Sequence, residues 1–111
     1  MFNSKKAAAP APKNTLVDFE LETGEHVKLT LAFYLLLGLK SCRKDIYERY
    51  NKIQSKGAKE ECEAVFILYA AYMCAYIQEH GCADGAMSEE EFLIGCGSDR
   101  IAVAEATRAL L

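Results

Sequence analysis

The sequence predicts a mainly α fold, a small helical bundle of four to five helices with an N-terminal β-hairpin. Three observations lead there. Residues 64–77 run for fourteen positions with no polar break except the hydroxyls of Tyr69, Tyr72 and Tyr76. That is too long for a typical strand and short of the roughly 20 apolar residues that cross a bilayer, so it reads as a central helix. Upstream, apolar and polar residues alternate with a period of two, the pattern of a half-buried hairpin. Elsewhere, glycines and small polar residues punctuate apolar stretches at helical length.

Taken in order, residues 1–13 contain Ala7, Ala8, Ala9, Pro10, Ala11 and Pro12. They have little to bury and are expected to form a disordered leader, ahead of a single helical domain over residues 14–111. Val17, Phe19 and Leu21 alternate with Asp18, Glu20 and Glu22. After a turn at Thr23 and Gly24, Val27, Leu29 and Leu31 alternate with Lys28 and Thr30. A hairpin placing Leu21 opposite Val27 puts both apolar sets on one face. A lone hairpin is not stable, so helices must cover it.

Past Thr30 the period lengthens. Leu31, Phe33, Tyr34, Leu35, Leu36, Leu37 and Leu39 predict a short, mostly buried helix ending near residues 38–40. Ser41 is the expected N-cap of a second helix that runs to about Ser55, with Gly57 as its stop. Ile46, Tyr47, Tyr50 and Ile53 form its apolar stripe, and Asp45–Arg49 and Glu48–Lys52 are acid-before-base pairs at i,i+4. The long helix is expected over residues 59–80, with Glu60, Glu61 and Glu63 at the positive end of its dipole and Gly81 beyond its end. Such a helix is apolar around its whole circumference and must be covered on every side, a demand that leaves part of its surface waiting for a partner. Ser88 and Glu91 form a capping box opening a helix that turns Phe92, Leu93 and Ile94 inward and stops at Gly95 and Gly97. Ser98 or Asp99 caps a last helix, to about Leu110, with Ile101, Val103, Ala104, Ala106 and Leu110 available for packing.

Composition narrows the functions. The 51% hydrophobic content of a 111-residue chain fits one folded domain. No signal peptide pattern follows Met1 and no segment qualifies as a span, so a cytosolic protein is expected. Five cysteines without regular spacing indicate reduced thiols, with Cys62, Cys74 and Cys96 as small core residues. The net charge of −3 hides a polarity. Residues 40–59 hold seven basic side chains against two acidic ones, whereas outside them and the leader three basic residues face fourteen carboxylates. Such separation favours docking on a charged protein or on a second copy.

No catalytic constellation is present. Cys74, His80, Cys82 and Cys96 include zinc-ligand types but lack a paired C-x-x-C, and neither His26 nor His80 sits in a motif that would pair it with a nucleophile. Glu89, Glu90 and Glu91 serve a helix N-terminus more simply than a metal. Gly95 and Gly97 are too little for a phosphate loop. No enzyme activity, metal or cofactor is therefore expected. The basic helix with Tyr47 and Tyr50 could bind nucleic acid, but those tyrosines share the stripe of Ile46 and Ile53 and the rest of the domain repels phosphate. The candidate partner-binding residues are Tyr69, Tyr72 and Tyr76, whose stripe is either core or an amphipathic docking face. Arg43 and Arg49 on the basic helix are the next candidates.

The stretch from Leu29 to Leu39, YERYNKIQSKG at 47–57, ILYAAYMCAYI at 67–77 and MSEEEF at 87–92 resemble the tail assembly chaperones of long-tailed (siphovirus-type) phages and prophages of Gram-positive bacteria. The similarity covers about residues 16–111. It implies a small helical protein that acts without cofactor in the cytoplasm of the bacterial host and is absent from the mature virion. It also implies binding to the tape measure protein, recruitment of tail tube protein subunits and, in many members, a longer frameshifted form. A helical nucleic-acid-binding regulator and a structural tail or head component are the alternatives. Deleting residues 1–13 is expected to leave the thermal melt nearly unchanged, because a leader with few native contacts contributes little to stability.

Overall fold

A computed structural model describes residues 16–57 and 59–110. The expected leader lies outside the described residues. The chain folds as β1 (Val17–Glu20), β2 (His26–Leu29), α1 (Phe33–Cys42), α2 (Lys44–Lys56), α3 (Glu61–His80), α4 (Glu89–Cys96) and α5 (Arg100–Leu110). It is the mainly α bundle with an N-terminal antiparallel hairpin that the patterning predicts.

The apolar run becomes the axis of the molecule. Eleven residues of α3 are buried, including every position from Phe66 to Ala75, and β2, α1, α2, α4 and α5 all pack against it. Its first turn is secured by Glu63, whose carboxylate accepts the backbone N–H groups of Lys59 (2.9 Å) and Glu60 (3.3 Å). Ala70 and Ala71 are fully buried and small enough to admit the end of β2, where the Thr30 N–H donates to the Ala71 carbonyl at 3.2 Å.

Several details differ from expectation. The hairpin sets Phe19, not Leu21, opposite Val27, and Val17 opposite Leu29. The register moves by two residues, which keeps every side chain on its predicted face. Leu21 instead opens the turn: its N–H bonds Glu25 and its carbonyl accepts from Gly24, which has φ of 93°. The Leu21 side chain packs on Gly95, where an added Cβ would lie 3.1 Å from it, so Gly95 is a contact inside α4 and only Gly97 follows the helix end.

Ser41 is not the N-cap of α2. Helix α1 continues through it to Cys42, its hydroxyl turns back on the Leu37 carbonyl, and Arg43 starts α2 without a side-chain cap. The expected i,i+4 pairs are replaced: Asp45 pairs with Arg43, Glu48 with Lys44 and Arg49 with Glu89. In α4 the capping box of Ser88 and Glu91 forms, but an eight-residue helix has one inward direction. Phe92, Gly95 and Cys96 take it, and Leu93 and Ile94 point to solvent. Asp99 caps α5 through the Ala102 N–H, and of the expected packing residues Ile101 and Ala104 are exposed. Cys62, expected in the core, is exposed on the first turn of α3, while Cys74 and Cys96 are buried.

Phe66 is the largest fully enclosed side chain of α3, only 2% exposed, with its ring tilted against Tyr69 and under the Arg49 guanidinium. Phe66→Ala is expected to cost about 3–5 kcal/mol in chemical denaturation, enough to unfold much of so small a domain. A midpoint close to wild type would contradict this packing.

Candidate interaction surface

The three tyrosines of α3 share one face, with Phe66 before them and His80 after. Successive ring centroids from Phe66 to Tyr76 lie about 6 Å apart (6.1, 6.1 and 6.0 Å), and Tyr76 and His80 are 4.1 Å apart. Phe92 of α4 closes over Tyr69 and Tyr72 at 5.7 and 5.5 Å. Tyr69 is 3% exposed and Tyr72 7%; only Tyr76 is half-buried.

Their hydroxyls all meet the backbone of the α3–α4 connection. Tyr69 donates to the Met87 carbonyl at 2.9 Å, Tyr72 accepts from the Met87 N–H at 2.8 Å, and Tyr76 donates to the Asp84 carbonyl at 2.8 Å. A connection lying on an apolar helix must find partners for its peptide groups, and the phenols supply them. Burial pushes the Tyr69 and Tyr72 phenols above their ordinary range, so they stay neutral donors and acceptors. Of the two readings of this stripe, the core one holds at Tyr69 and Tyr72, whose hydroxyls meet the chain's own loop.

Arg43, at the N-terminal cap of α2, and Arg49, within it, line a 240 Å³ cavity together with Tyr69. Arg43 grips Asp45 through two bonds of 3.0 and 3.1 Å, which hold the Asp45 carboxyl below its usual range. Arg49 pairs with both carboxylate oxygens of Glu89 and stacks 4.0 Å from the Phe66 ring centroid. Three of the five expected binding residues therefore meet at one place, where both guanidinium groups are committed to carboxylates of this same domain. Tyr72 and Tyr76 lie farther along α3, beneath the loop.

The open apolar surface lies elsewhere. On α1, Phe33 (73% exposed), Tyr34 and Leu37 stand outside, while Leu35 and Leu39 hold the helix to the core. Leu93 and Ile94 (67%) on α4 and Ile101 (72%) on α5 are exposed as well, and Leu93 lines a 460 Å³ groove between the start of α3 and the α4–α5 junction. Cys62, Val65 and Val103 lie along this groove, and the Arg100–Glu61 ion pair of 3.0 Å spans α5 and α3 at its rim. A signal for the first surface was present: a ten-residue helix with apolar residues at 33–37 and 39 cannot bury all of them from one side.

Among the described residues no three His, Cys, Asp or Glu side chains gather as a metal site; Cys74 and Cys96 are buried, whereas His80 and Cys82 are exposed. Burial pushes the Cys74 thiol up to about 12 and that of Cys96 up to about 11. Glu60 accepts from the Cys62 thiol and raises it, despite its exposure. At pH 8, a thiol reagent is expected to label Cys42 and Cys82 fastest and Cys62 more slowly. Cys74 and Cys96 should react only after denaturation, and five fast thiols in the native protein would refute this assignment. No protein-family model, curated protein or solved structure matches this chain, so its function is argued from these surfaces and from the sequence resemblance.

Proposed function

We propose that this protein is a tail assembly chaperone of a long-tailed phage or prophage, binding helical segments of the tape measure protein and helping to recruit tail tube subunits. The observation that carries the reading is the outer face of α1, where Phe33, Tyr34 and Leu37 remain exposed on a helix anchored from its other side. Apolar side chains at i, i+1 and i+4 suit the apolar stripe of a partner helix. A tape measure chain exposes such stripes before the tube encloses it, and covering them lowers its tendency to aggregate. On this reading the chaperone acts in the host cytoplasm and leaves before the virion is complete.

The nucleic-acid alternative is weakened by the pairing of Arg43, Lys44 and Arg49 with carboxylates of the same domain. The test is co-expression with a tape measure protein, using Leu37→Glu. The substitution lies at an exposed site and is expected to change stability by no more than about 0.5 kcal/mol. It should nevertheless abolish co-purification, because the interface would enclose an unpaired charge. A native circular dichroism spectrum with undiminished capture would remove α1 as the docking face. Capture that collapses with moderate salt would favour an electrostatic partner instead.

A further inference from the structure

The exposed face of α1 accounts for one surface, but the hairpin has a second unsatisfied feature. Among the described residues, strand β1 pairs with β2 along one edge alone. The Leu21–Glu25 bond fixes the alternation: the peptide groups of Val17 and Phe19 face β2, and those of Asp18, Glu20 and Glu22 face away. The outward N–H of Glu22 already donates to a backbone carbonyl, that of Gly95, at 2.6 Å. Those of Asp18 and Glu20 meet no backbone partner among the described residues and open on a 530 Å³ groove between β1 and α5.

The groove selects its occupant by charge and shape. Helix α5 packs beside β1, and Ala102, Ala106 and Ala109 present only small side chains to the groove between them. Carboxylates of Glu20, Glu22 and Glu105 line it, and no Lys or Arg does. Asp18 is already held by Lys28 at 3.2 Å and His26 at 2.7 Å. A second copy of β1 would set Asp18 and Glu20 against the same acids, which is unfavourable for directly opposed residues. We infer that the free edge of β1 is a β-augmentation site for an extended, basic peptide segment of another protein. The segment adds a third strand through the peptide groups of Asp18 and Glu20, with its cations toward Glu22 and Glu105.

The test uses the full chain and two synthetic nine-residue peptides, alternating lysine with threonine or glutamate with threonine, with binding followed by fluorescence anisotropy. The lysine peptide should bind at least tenfold tighter than the glutamate peptide and perturb the Asp18 and Glu20 amide resonances most. Glu20→Pro removes an outward N–H while sparing the bonds to β2, a placement that edge strands tolerate. It should weaken the lysine peptide tenfold or more with the spectrum unchanged. Should Glu20→Pro disturb the fold, a lysine peptide N-methylated at alternate residues removes the reciprocal bonds, from peptide N–H groups to the outward carbonyls of Asp18 and Glu20, and should lose binding equally. Undiminished binding of the N-methylated peptide, or equal binding of both charge forms, would overturn the site.

Discussion

One helix with no polar face dictates the rest of this structure. Nothing on α3 between Phe66 and Ala75 can face water without cost, so each remaining element is positioned by the sector of α3 that it covers. The hairpin could not stand alone and gains its stability by lying on Ala70 and Ala71. Helices α1 and α2 turn back on each other and close a second sector through Leu35, Leu39, Ile46, Tyr50 and Ile53. Helix α4 is too short to persist by itself, yet Phe92 is wholly enclosed against Phe19, Tyr69 and Tyr72.

Complete coverage creates a polar problem, because turns and strand ends brought onto an apolar helix carry peptide groups with them. The chain meets it with side chains that are mostly ring and end in one hydroxyl. Three tyrosines of α3 reach the edge of the core and bond the loop that crosses them. Other hydroxyls also meet polar groups at the margin of the core: Tyr50 accepts from the Gln54 side-chain amide on α2, and Thr30 at the end of β2 accepts from the Ala32 N–H. No buried side-chain nitrogen or oxygen among the described residues lacks a partner.

Local signals were legible where the physics was local. Alternation identified both strands, helical spacing identified α2, and the capping box located the start of α4. Competition between near-equal local options was not legible: Ser41 bonds back into α1 where it was expected to cap α2, and the turn takes Leu21, which moves the register by two. Direction failed where an element is short or uniformly apolar. Within α4, Phe92, Leu93 and Ile94 have similar hydrophobicity, and only the position of Phe19 and the α3 tyrosines decides that Phe92 goes in. The tyrosine stripe stayed between core and docking face for a related reason: tyrosine suits both, and residues 82–87 gave no sign that they would fold over it.

The demand that α3 be covered also explains where apolar surface is left over. Because α3 is covered by its own chain from Phe66 to Ala75, the exposed large apolar side chains lie elsewhere, on the far side of α1 and on α4 and α5. A docking face carried outside the core separates binding from stability, since its residues contribute little to folding and can be exchanged without loss of the scaffold. Such a face is rigid because Leu35 and Leu39 fix α1 from behind, so association costs little ordering of the protein itself. On the proposed chaperone reading, in which the client passes to polymerising subunits, contacts on a rigid outer face are better suited than a groove opened in the core, which would have to refold after each departure.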